Sequence, residues 1–252
     1  MQTQKGKNNL LSIFGVSNIP SDTHIRNLLD PIPPTLLFPV FKKVFDYLNE
    51  EGIISNLRSF ENTLLYALDG TWFFSSEPLN CKSCLSQKHR TGNTTYYHSA
   101  ITPVIVQPGN NKVISLPPEF IIPQDGSTKQ DCENQAAKRW IENTSQDFQI
   151  HPITVLGDDL YSRQPVCKKV LSEGYHFIFT CKPSSHKHLY EWLEVYDDED
   201  LNQFTLKVGT GKKREYHKYR FINDVPLKDG KDALQVNWVE LIIYDRDKNI
   251  KK

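Results

Sequence analysis

The sequence predicts an α/β fold, a mixed β-sheet with flanking helices. Residues 64–74 form an apolar run rich in aromatic side chains, typical of a buried central strand. Residues 153–157 form a second run, rich in β-branched side chains. Segments with apolar residues at three- and four-residue steps lie before, between and after these runs. Strands that alternate with helical segments indicate a sheet with parallel pairs.

The N-terminal region, residues 1–60, is predicted to be helical. Ser21 or Asp22 is suited to cap a helix that ends before Pro31, because proline disfavours helical backbone in the residue that precedes it. A second helix is expected over residues 35–51, with Gly52 as its C-terminal cap. Such a pair either packs on the core or binds DNA, and the sequence favours packing.

Residues 61–195 are predicted to form the core. Strand-forming residues 94–106 precede a turn and a return strand over 112–116. A helix over 131–143 leads to the second apolar run, and a helix over 163–173 leads to a strand over 176–181. The order strand, strand, strand, helix, strand, helix, strand is that of the ribonuclease H-like fold. In that fold the first and fourth strands are neighbours.

Residues 196–252 are predicted to form a separate β-rich unit. The acidic run 197–200 is expected to be a solvated linker or loop. Three alternating or apolar segments follow it, over 204–208, 215–221 and 236–244.

Charge and hydropathy limit the classes of binding partner that the sequence indicates. The 30 basic and 30 acidic residues cancel, so the net charge indicates no partner class. One local basic cluster, Lys212, Lys213 and Arg214, is a candidate DNA contact. The chain has no apolar run long enough for a membrane helix, and its polar start is unlike a signal peptide. We therefore expect a soluble intracellular protein that does not bind membranes.

Acidic residues stand at both apolar runs. Asp69 lies within the first run, where a buried carboxylate is costly unless it is paired or bound to a metal. Asp158 and Asp159 end the second run. If the two strands are neighbours, Asp69 and Asp158 meet at one edge of the sheet, and carboxylate oxygens are ligands that suit Mg²⁺ or Mn²⁺.

The five cysteines give an odd number with no secretory signal, which argues against a disulfide framework. Cys81 and Cys84 form a Cys-x-x-Cys pair, and structural zinc would need two further ligands. Cys132, His89 and His98 are the candidates. The alternative, which the sequence favours, is a pair of reduced cysteines in a loop.

Several short sequence blocks stand out along the chain. They are Ile25-Arg26-Asn27-Leu28-Leu29-Asp30-Pro31-Ile32-Pro33-Pro34, Asp69-Gly70-Thr71 with Phe74-Ser75-Ser76 and Cys81-Lys82-Ser83-Cys84, Thr102-Pro103-Val104, Pro123-Gln124-Asp125-Gly126, Lys129-Gln130-Asp131-Cys132-Glu133-Asn134, Gly157-Asp158-Asp159-Leu160-Tyr161-Ser162-Arg163-Gln164-Pro165, and Cys181-Lys182-Pro183-Ser184-Ser185-His186. Together these blocks resemble IS4-like DDE transposases of insertion sequences. The resemblance covers the chain from about Ser12 onward.

That resemblance implies a ribonuclease H-like nuclease that uses two Mg²⁺ or Mn²⁺ ions to cut and join DNA at the ends of a mobile element. It implies Asp69 as the first acid and Asp158 as the second, with Asp159 as the alternative. It also matches the β-rich unit to an insertion that many members carry in the core. DNA is the implied partner, and self-association is possible for this class.

The chain departs from the family pattern at the third acid. The family carries this acid on a helix in a Tyr…Arg…Glu…Lys context, which is absent from the sequence. Glu240 is the weak alternative, in a predicted strand. The sequence therefore leads us to expect a transposase truncated before its third acid and inactive as this fragment. The alternatives are a binding-only product that interferes with the full-length enzyme, or a metal-dependent nuclease that uses Glu240.

Overall fold

The fold is described from a computed structural model. The described residues are 11–12, 15, 20–123, 133–150, 152–196 and 201–251, with the side chains of Thr144 and Lys212 left aside. They fall into two compact units, Met1–Tyr47 and Leu48–Lys252. The division into residues 1–60, 61–195 and 196–252 stays a prediction. Within the described ranges, no helix has both the length and the apolar character needed to span a membrane.

The described residues of the first unit are mainly helical. Helix α1 spans Asp22–Leu29, and its first turn is capped by Ser21, whose hydroxyl accepts a hydrogen bond from the His24 amide at 3.2 Å. A 3-10 turn, Pro34–Leu37, precedes helix α2, Phe38–Glu50, which continues into the second unit. The predicted second helix therefore starts with a tighter turn than expected. A proline at its first position removes one amide donor but also fixes a helical φ.

The described part of the second unit contains twelve strands and the remaining α-helices. The strands are β1 Leu64–Ala67, β2 Gly70–Ser76, β3 Leu85–Lys88, β4 Thr94–Ile101, β5 Val104–Val106, β6 Ile114–Ser115, β7 Glu119–Ile121, β8 Ile153–Gly157, β9 His176–Phe179, β10 Asn202–Val208, β11 Glu215–Pro226 and β12 Gln235–Tyr244. The helices are α3 Glu133–Arg139, α4 Gln164–Ser172 and α5 Lys187–Leu193.

A five-stranded mixed sheet forms the centre, in the order β6-β5-β1-β8-β9. Strand β1 pairs antiparallel with β5 and parallel with β8, and β8 pairs parallel with β9. In this register Ala67 lies opposite Leu156. The predicted adjacency of the strands that lead to Asp69 and Asp158 is confirmed.

The first apolar run is not one strand, which corrects the expectation for residues 64–74. The chain leaves the central sheet after Ala67 and re-enters β-structure at Gly70, in a second sheet of order β2-β4-β3 with β7 also paired to β4. The predicted strand over 94–106 is split in the same way at Thr102 and Pro103. The Thr102 amide donates to the Asp69 carbonyl at 2.9 Å. The two breaks therefore face each other, and Pro103, which has no amide hydrogen, stands at the bend.

The central sheet and its helices share one apolar core. Helix α3 continues as a wider turn over Trp140–Thr144. Its predicted inner face, Ala136, Ala137, Trp140 and Ile141, is fully buried. The indole of Trp140 still donates its N–H to the Pro117 carbonyl at 3.0 Å, so its one polar group is satisfied.

The three segments predicted as strands after the acidic run form a three-stranded antiparallel sheet, β10-β11-β12. It packs against α4 and α5 through a buried cluster that includes Cys167, Leu189 and Trp238. Phe177 and Phe179 of β9 pack on this cluster. Ile178, between them in the sequence, points the other way and is 47% exposed, as alternation along a strand requires.

Candidate metal centre

Asp69 and Asp158 lie just beyond the carboxyl ends of two neighbouring parallel strands. Strand β1 ends at Ala67 and β8 ends at Gly157, so each acid follows its strand within two residues. Both acids are exposed. Asp69 was expected in the middle of a buried strand; it lies instead at the break, where water solvates the carboxylate and burial costs little.

A third carboxylate, Glu133, lies beside the first acid. Glu133 is the first residue of α3 and is half-buried. Its carboxylate lies against the backbone of Gly70: a Cβ atom on residue 70 would be 2.3 Å from Glu133 Cδ and 2.4 Å from Oε2. Only glycine leaves this space free, so the residue after Asp69 is what admits the Glu133 carboxylate.

The surroundings of Glu133 disfavour its charged form. Burial raises the pKa of Glu133, and the nearby Asp158 and Asp69 carboxylates raise it further, while the hydrogen bond from Tyr161 lowers it. The structure therefore places Asp69, Asp158 and Glu133 close enough for their charges to interact. A bound cation would relieve this repulsion.

Tyr161 holds the Glu133 carboxylate from the other strand end. Its ring is fully buried, and its hydroxyl donates to Glu133 Oε2 at 3.3 Å. Gly157 provides the room, because a Cβ there would lie 2.8 Å from Tyr161 Cδ2. Burial, followed by the charge of Glu133, strongly raises the pKa of Tyr161, so the hydroxyl stays a donor. Each acid thus has a glycine as its chain neighbour, and the two glycines admit a hydrogen-bonded pair.

Glu133 was missed by the sequence analysis as a functional residue. It stands in one of the blocks that carry the family resemblance, residues 129–134, but no role was attached to it. Its proximity to Asp69 depends on contacts between segments far apart in the chain. The one local signal is an acidic residue at the start of a predicted helix, which is common as a simple helix-dipole contact.

Asp159, the alternative second acid, is engaged elsewhere. Its Oδ1 accepts hydrogen bonds from the Lys182 amide, at 2.6 Å, and from the Ser185 hydroxyl. Burial would raise the pKa of Asp159, but these hydrogen bonds and the charge of His186 lower it overall. The Asp159 carboxylate therefore holds the loop that follows β9.

Glu240, the weak candidate for the third acid, lies in β12 opposite Arg220 of β11. Its Oε2 is 2.8 Å from Arg220 Nε and 2.5 Å from Nη2. Both nitrogens contact this one oxygen, and the ion pair gives Glu240 a structural partner within the three-stranded sheet. Glu133 is the carboxylate that lies against the residue after Asp69, and the charges of Asp158 and Asp69 add to the effect of burial in raising its pKa.

The other predicted site residues lie away from these acids in the fold. Cys81 and Cys84 meet His98 at the edge of the second sheet. Lys213 and Arg214 are exposed at the connection between β10 and β11, and the Lys212 side chain lies outside the described part. Cys132 is likewise outside the described residues.

A cationic cavity of about 560 Å³ opens beside the segment that follows Asp158. Its lining includes Arg163, Lys168, Lys187 and Lys228, together with the histidines His186 and His188. Asp232 also lines it and pairs with Lys228 at 3.0 Å. The lysine and arginine side chains make this cavity a candidate site for an anionic ligand.

Comparison with known proteins identifies no family. No protein-family model matches the chain, and no curated protein matches it. Among solved structures, the chain is similar to piggyBac transposase in the cryo-EM structure of its synaptic complex with hairpin DNA. The TM-score is 0.36 and the identity 13%, and the similarity covers 84% of this chain and 40% of that one. The chain thus spans less than half the length of that transposase.

Proposed function

We propose that this chain carries a metal-dependent, DNA-cleaving site of the IS4-like transposase type on a ribonuclease H-like fold. The observation that carries the proposal is the position of Asp69 and Asp158 at the ends of neighbouring parallel strands, with the Glu133 carboxylate against Gly70, the residue after Asp69. The sequence blocks around Asp69, Glu133 and Asp158 support the family assignment.

The order of the central sheet supports the fold assignment. Three antiparallel strands, β1, β5 and β6, are followed by two parallel additions, β8 and β9, on the other side of β1. This is the strand order expected from the sequence for a ribonuclease H-like core. It explains why acids so far apart in the chain share one edge of the sheet.

The three carboxylates fit Mg²⁺ or Mn²⁺. Both ions favour oxygen ligands, and a set of three acids whose charges repel one another gains from a bound cation. Bound there, the metal would supply Lewis-acid chemistry for the attacking and leaving oxygens of a phosphodiester. The chain supplies the ligands, with Gly70 giving Glu133 its place and Tyr161 orienting its carboxylate.

Glu133 changes the expectation about activity. The sequence alone predicts a fragment without a third acid, and therefore without cleavage. With Glu133 as the third oxygen ligand, the described residues offer a full set of acids. We therefore expect slow Mn²⁺-dependent cleavage by this chain, although it has no counterpart of the family's Tyr…Arg…Glu…Lys block.

The cationic cavity is the proposed path for DNA. Its basic side chains lie on α4, at the start of α5 and in the connection from β11 to β12, next to the segment that follows Asp158. Phosphate contacts of this kind give affinity that falls steeply with salt. Lys213 and Arg214 form the second candidate contact.

The variant Lys187→Ala should reduce the salt dependence of DNA binding if the cavity is used, and a Lys213→Ala/Arg214→Ala double variant serves as the comparison.

The test is nicking of a supercoiled plasmid by the purified full chain with Mn²⁺ or Mg²⁺. We expect nicking that is lost in Asp69→Asn and Asp158→Asn and reduced at least about 100-fold in Glu133→Gln, because metal-site partners outside the direct ligand set already cost 10–100-fold. Glu240→Gln is the matched control and should nick normally. Nicking indifferent to Asp69→Asn would show a contaminating nuclease. Metal and DNA binding without nicking would refute the proposed cleavage and favour the binding-only product.

A further inference from the structure

Three metal-binding side chains meet at the edge of the second sheet, away from the acidic centre. Cys81 Sγ is 3.3 Å from His98 Nε2, Cys84 Sγ is 3.5 Å from the same nitrogen, and the two sulfurs are 3.4 Å apart. Cys81 is exposed, while Cys84 and His98 are half-buried. Two sulfurs and one imidazole nitrogen therefore face a common point.

The local structure brings these side chains together. The loop from β2 to β3 makes a tight turn in which the Cys84 amide donates to the Cys81 carbonyl and the Cys81 amide donates to Cys84 Sγ, both at 3.1 Å. The turn thus presents both sulfurs on one side of the loop.

The third ligand comes from the strand next to the loop. His98 lies on β4, opposite Phe74 of β2. The rings of Phe73 and Phe74 lie 5.7 and 5.6 Å from the His98 ring, measured between centroids. These contacts restrict the imidazole and direct its Nε2 toward the two sulfurs.

The separations match a tetrahedral zinc site. With Zn–S bonds of about 2.3 Å and Zn–N bonds of about 2.0 Å, tetrahedral geometry puts two sulfurs about 3.8 Å apart and a sulfur and a nitrogen about 3.5 Å apart. The observed values of 3.3–3.5 Å agree within a few tenths of an ångström. A disulfide is excluded, because its sulfurs would be about 2.05 Å apart.

We propose that Cys81, Cys84 and His98 bind one Zn²⁺ ion per chain. The site selects His98 from the two histidines named in the sequence analysis, because His89 Nε2 is bonded to Thr95 Oγ1 at 2.8 Å. The fourth coordination position faces a small cavity of about 190 Å³ lined also by Phe74, Leu79 and Asn80. A water molecule or a further side chain fits there.

Zinc at this position would tie three strands of one sheet together. The ligands flank β2 and β3 and lie on β4, the central strand. Strand β2 begins at Gly70, directly after Asp69, so the ion would stabilise the sheet that starts at the acidic centre. Its role is structural, and it is independent of whether the acidic centre cleaves DNA.

The test is metal analysis of the purified full chain, followed by replacement of zinc with Co²⁺. We expect about one zinc per chain, and visible absorption bands typical of tetrahedral cobalt with thiolate ligands. His98→Ala and Cys84→Ser should weaken zinc binding more than about 100-fold, since loss of a partner outside the ligand set already costs 10–100-fold. A chelator should lower the melting temperature of the wild type but not that of these variants.

Matched controls keep the test decisive. His89→Ala and Cys181→Ser change the same residue types away from the cluster and should retain one zinc. If Cys84→Ser fails to fold, the cobalt spectrum of the wild type still decides, because thiolate ligation is seen directly. A folded wild type that binds no zinc, or a Co²⁺ spectrum without thiolate bands, would overturn the proposal, as would zinc retention by His98→Ala.

Discussion

The carboxylate of Glu133 occupies the space that a side chain on Gly70 would fill. A Cβ atom at residue 70 would lie 2.3 Å from Glu133 Cδ, well inside van der Waals contact. Gly70 directly follows Asp69, so this close approach is what brings Glu133 to the first acid. The proposed metal centre thus depends on the absence of one methyl group.

Gly70→Ala should weaken Mn²⁺ binding about tenfold or more while leaving the fold intact. The added methyl would push the Glu133 carboxylate away from Asp69. The free energy of unfolding should change by less than about 1 kcal/mol, because the end of a glutamate side chain can move. The measurement is Mn²⁺ affinity by calorimetry, with chemical unfolding of the same variant.

The Glu133→Ala background provides the control for that prediction. With the carboxylate already gone, Gly70→Ala has nothing to displace and should cause no further loss of Mn²⁺ affinity. Equal losses in both backgrounds would mean that residue 70 acts on the metal by another route.

Glu133→Gln should stabilise the metal-free protein at neutral pH and destabilise it relative to the wild type in Mn²⁺. The pKa of Glu133 is higher in the folded state than in the unfolded state, where it is near 4.5, chiefly because the residue is partly buried. The protonated carboxyl therefore stabilises the fold at pH values below the unfolded-state pKa. This stabilisation is lost as the pH rises through the folded-state pKa and the carboxyl ionises. In EDTA at pH 7 the variant should melt about 2 °C higher, and at pH 4 the two should melt together. Thermal unfolding at several pH values, with EDTA or Mn²⁺, checks this. A wild type that melts higher than the variant in EDTA at pH 7 would refute it.

The sequence predicted the order of strands in the central sheet well, because the signals that define each strand and helix lie within short segments of the chain. Apolar runs, helix caps and turn residues fixed the order of elements, and that order implied that the strands leading to Asp69 and Asp158 are neighbours. It did not reveal the break at Asp69. An apolar run extends across both parts, and only the pairing partners show that Ala67 and Gly70 belong to different sheets.

Glu133 could not be predicted as a site residue, because its position is set by contacts with distant segments of the chain. Its role depends on a glycine and a tyrosine in other segments, and no spacing rule connects them. The Cys-x-x-Cys pair shows the intermediate case. The sequence named Cys81, Cys84 and several possible further ligands, and the pairing of β4 with β2 and β3 selected His98.

Tyr161→Phe should weaken Mn²⁺ binding more at pH 6 than at pH 8. The hydroxyl donates to Glu133 Oε2 and lowers the pKa of that carboxyl, so its removal raises the pKa and lets protons compete better with the metal. We expect the Mn²⁺ affinity of Tyr161→Phe to fall a few-fold at pH 6 and by a smaller factor at pH 8. Mn²⁺ titrations at the two pH values measure it. Tyr175→Phe is the control, because the Tyr175 hydroxyl is hydrogen-bonded to Ser145 Oγ at 2.9 Å. Each variant should lose about 1 kcal/mol of stability with its hydrogen bond, but Tyr175→Phe should leave the Mn²⁺ affinity unchanged.

Glu240→Gln separates the two candidates for the third acid. Glu240 is paired with Arg220 across β11 and β12, where both side chains are partly exposed. Loss of its charge should therefore lower the free energy of unfolding by about 1 kcal/mol or less, as for other partly solvated ion pairs. The Arg220→Gln/Glu240→Gln double variant should show the same small effect, since the pair is removed as a unit.

Mn²⁺ affinity should stay at the wild-type value in both variants, while Glu133→Gln should lose Mn²⁺ affinity. If Mn²⁺ binding fell in Glu240→Gln and survived in Glu133→Gln, the third ligand would lie in the β-rich sheet, and the acidic centre described around Gly70 would not be the metal site.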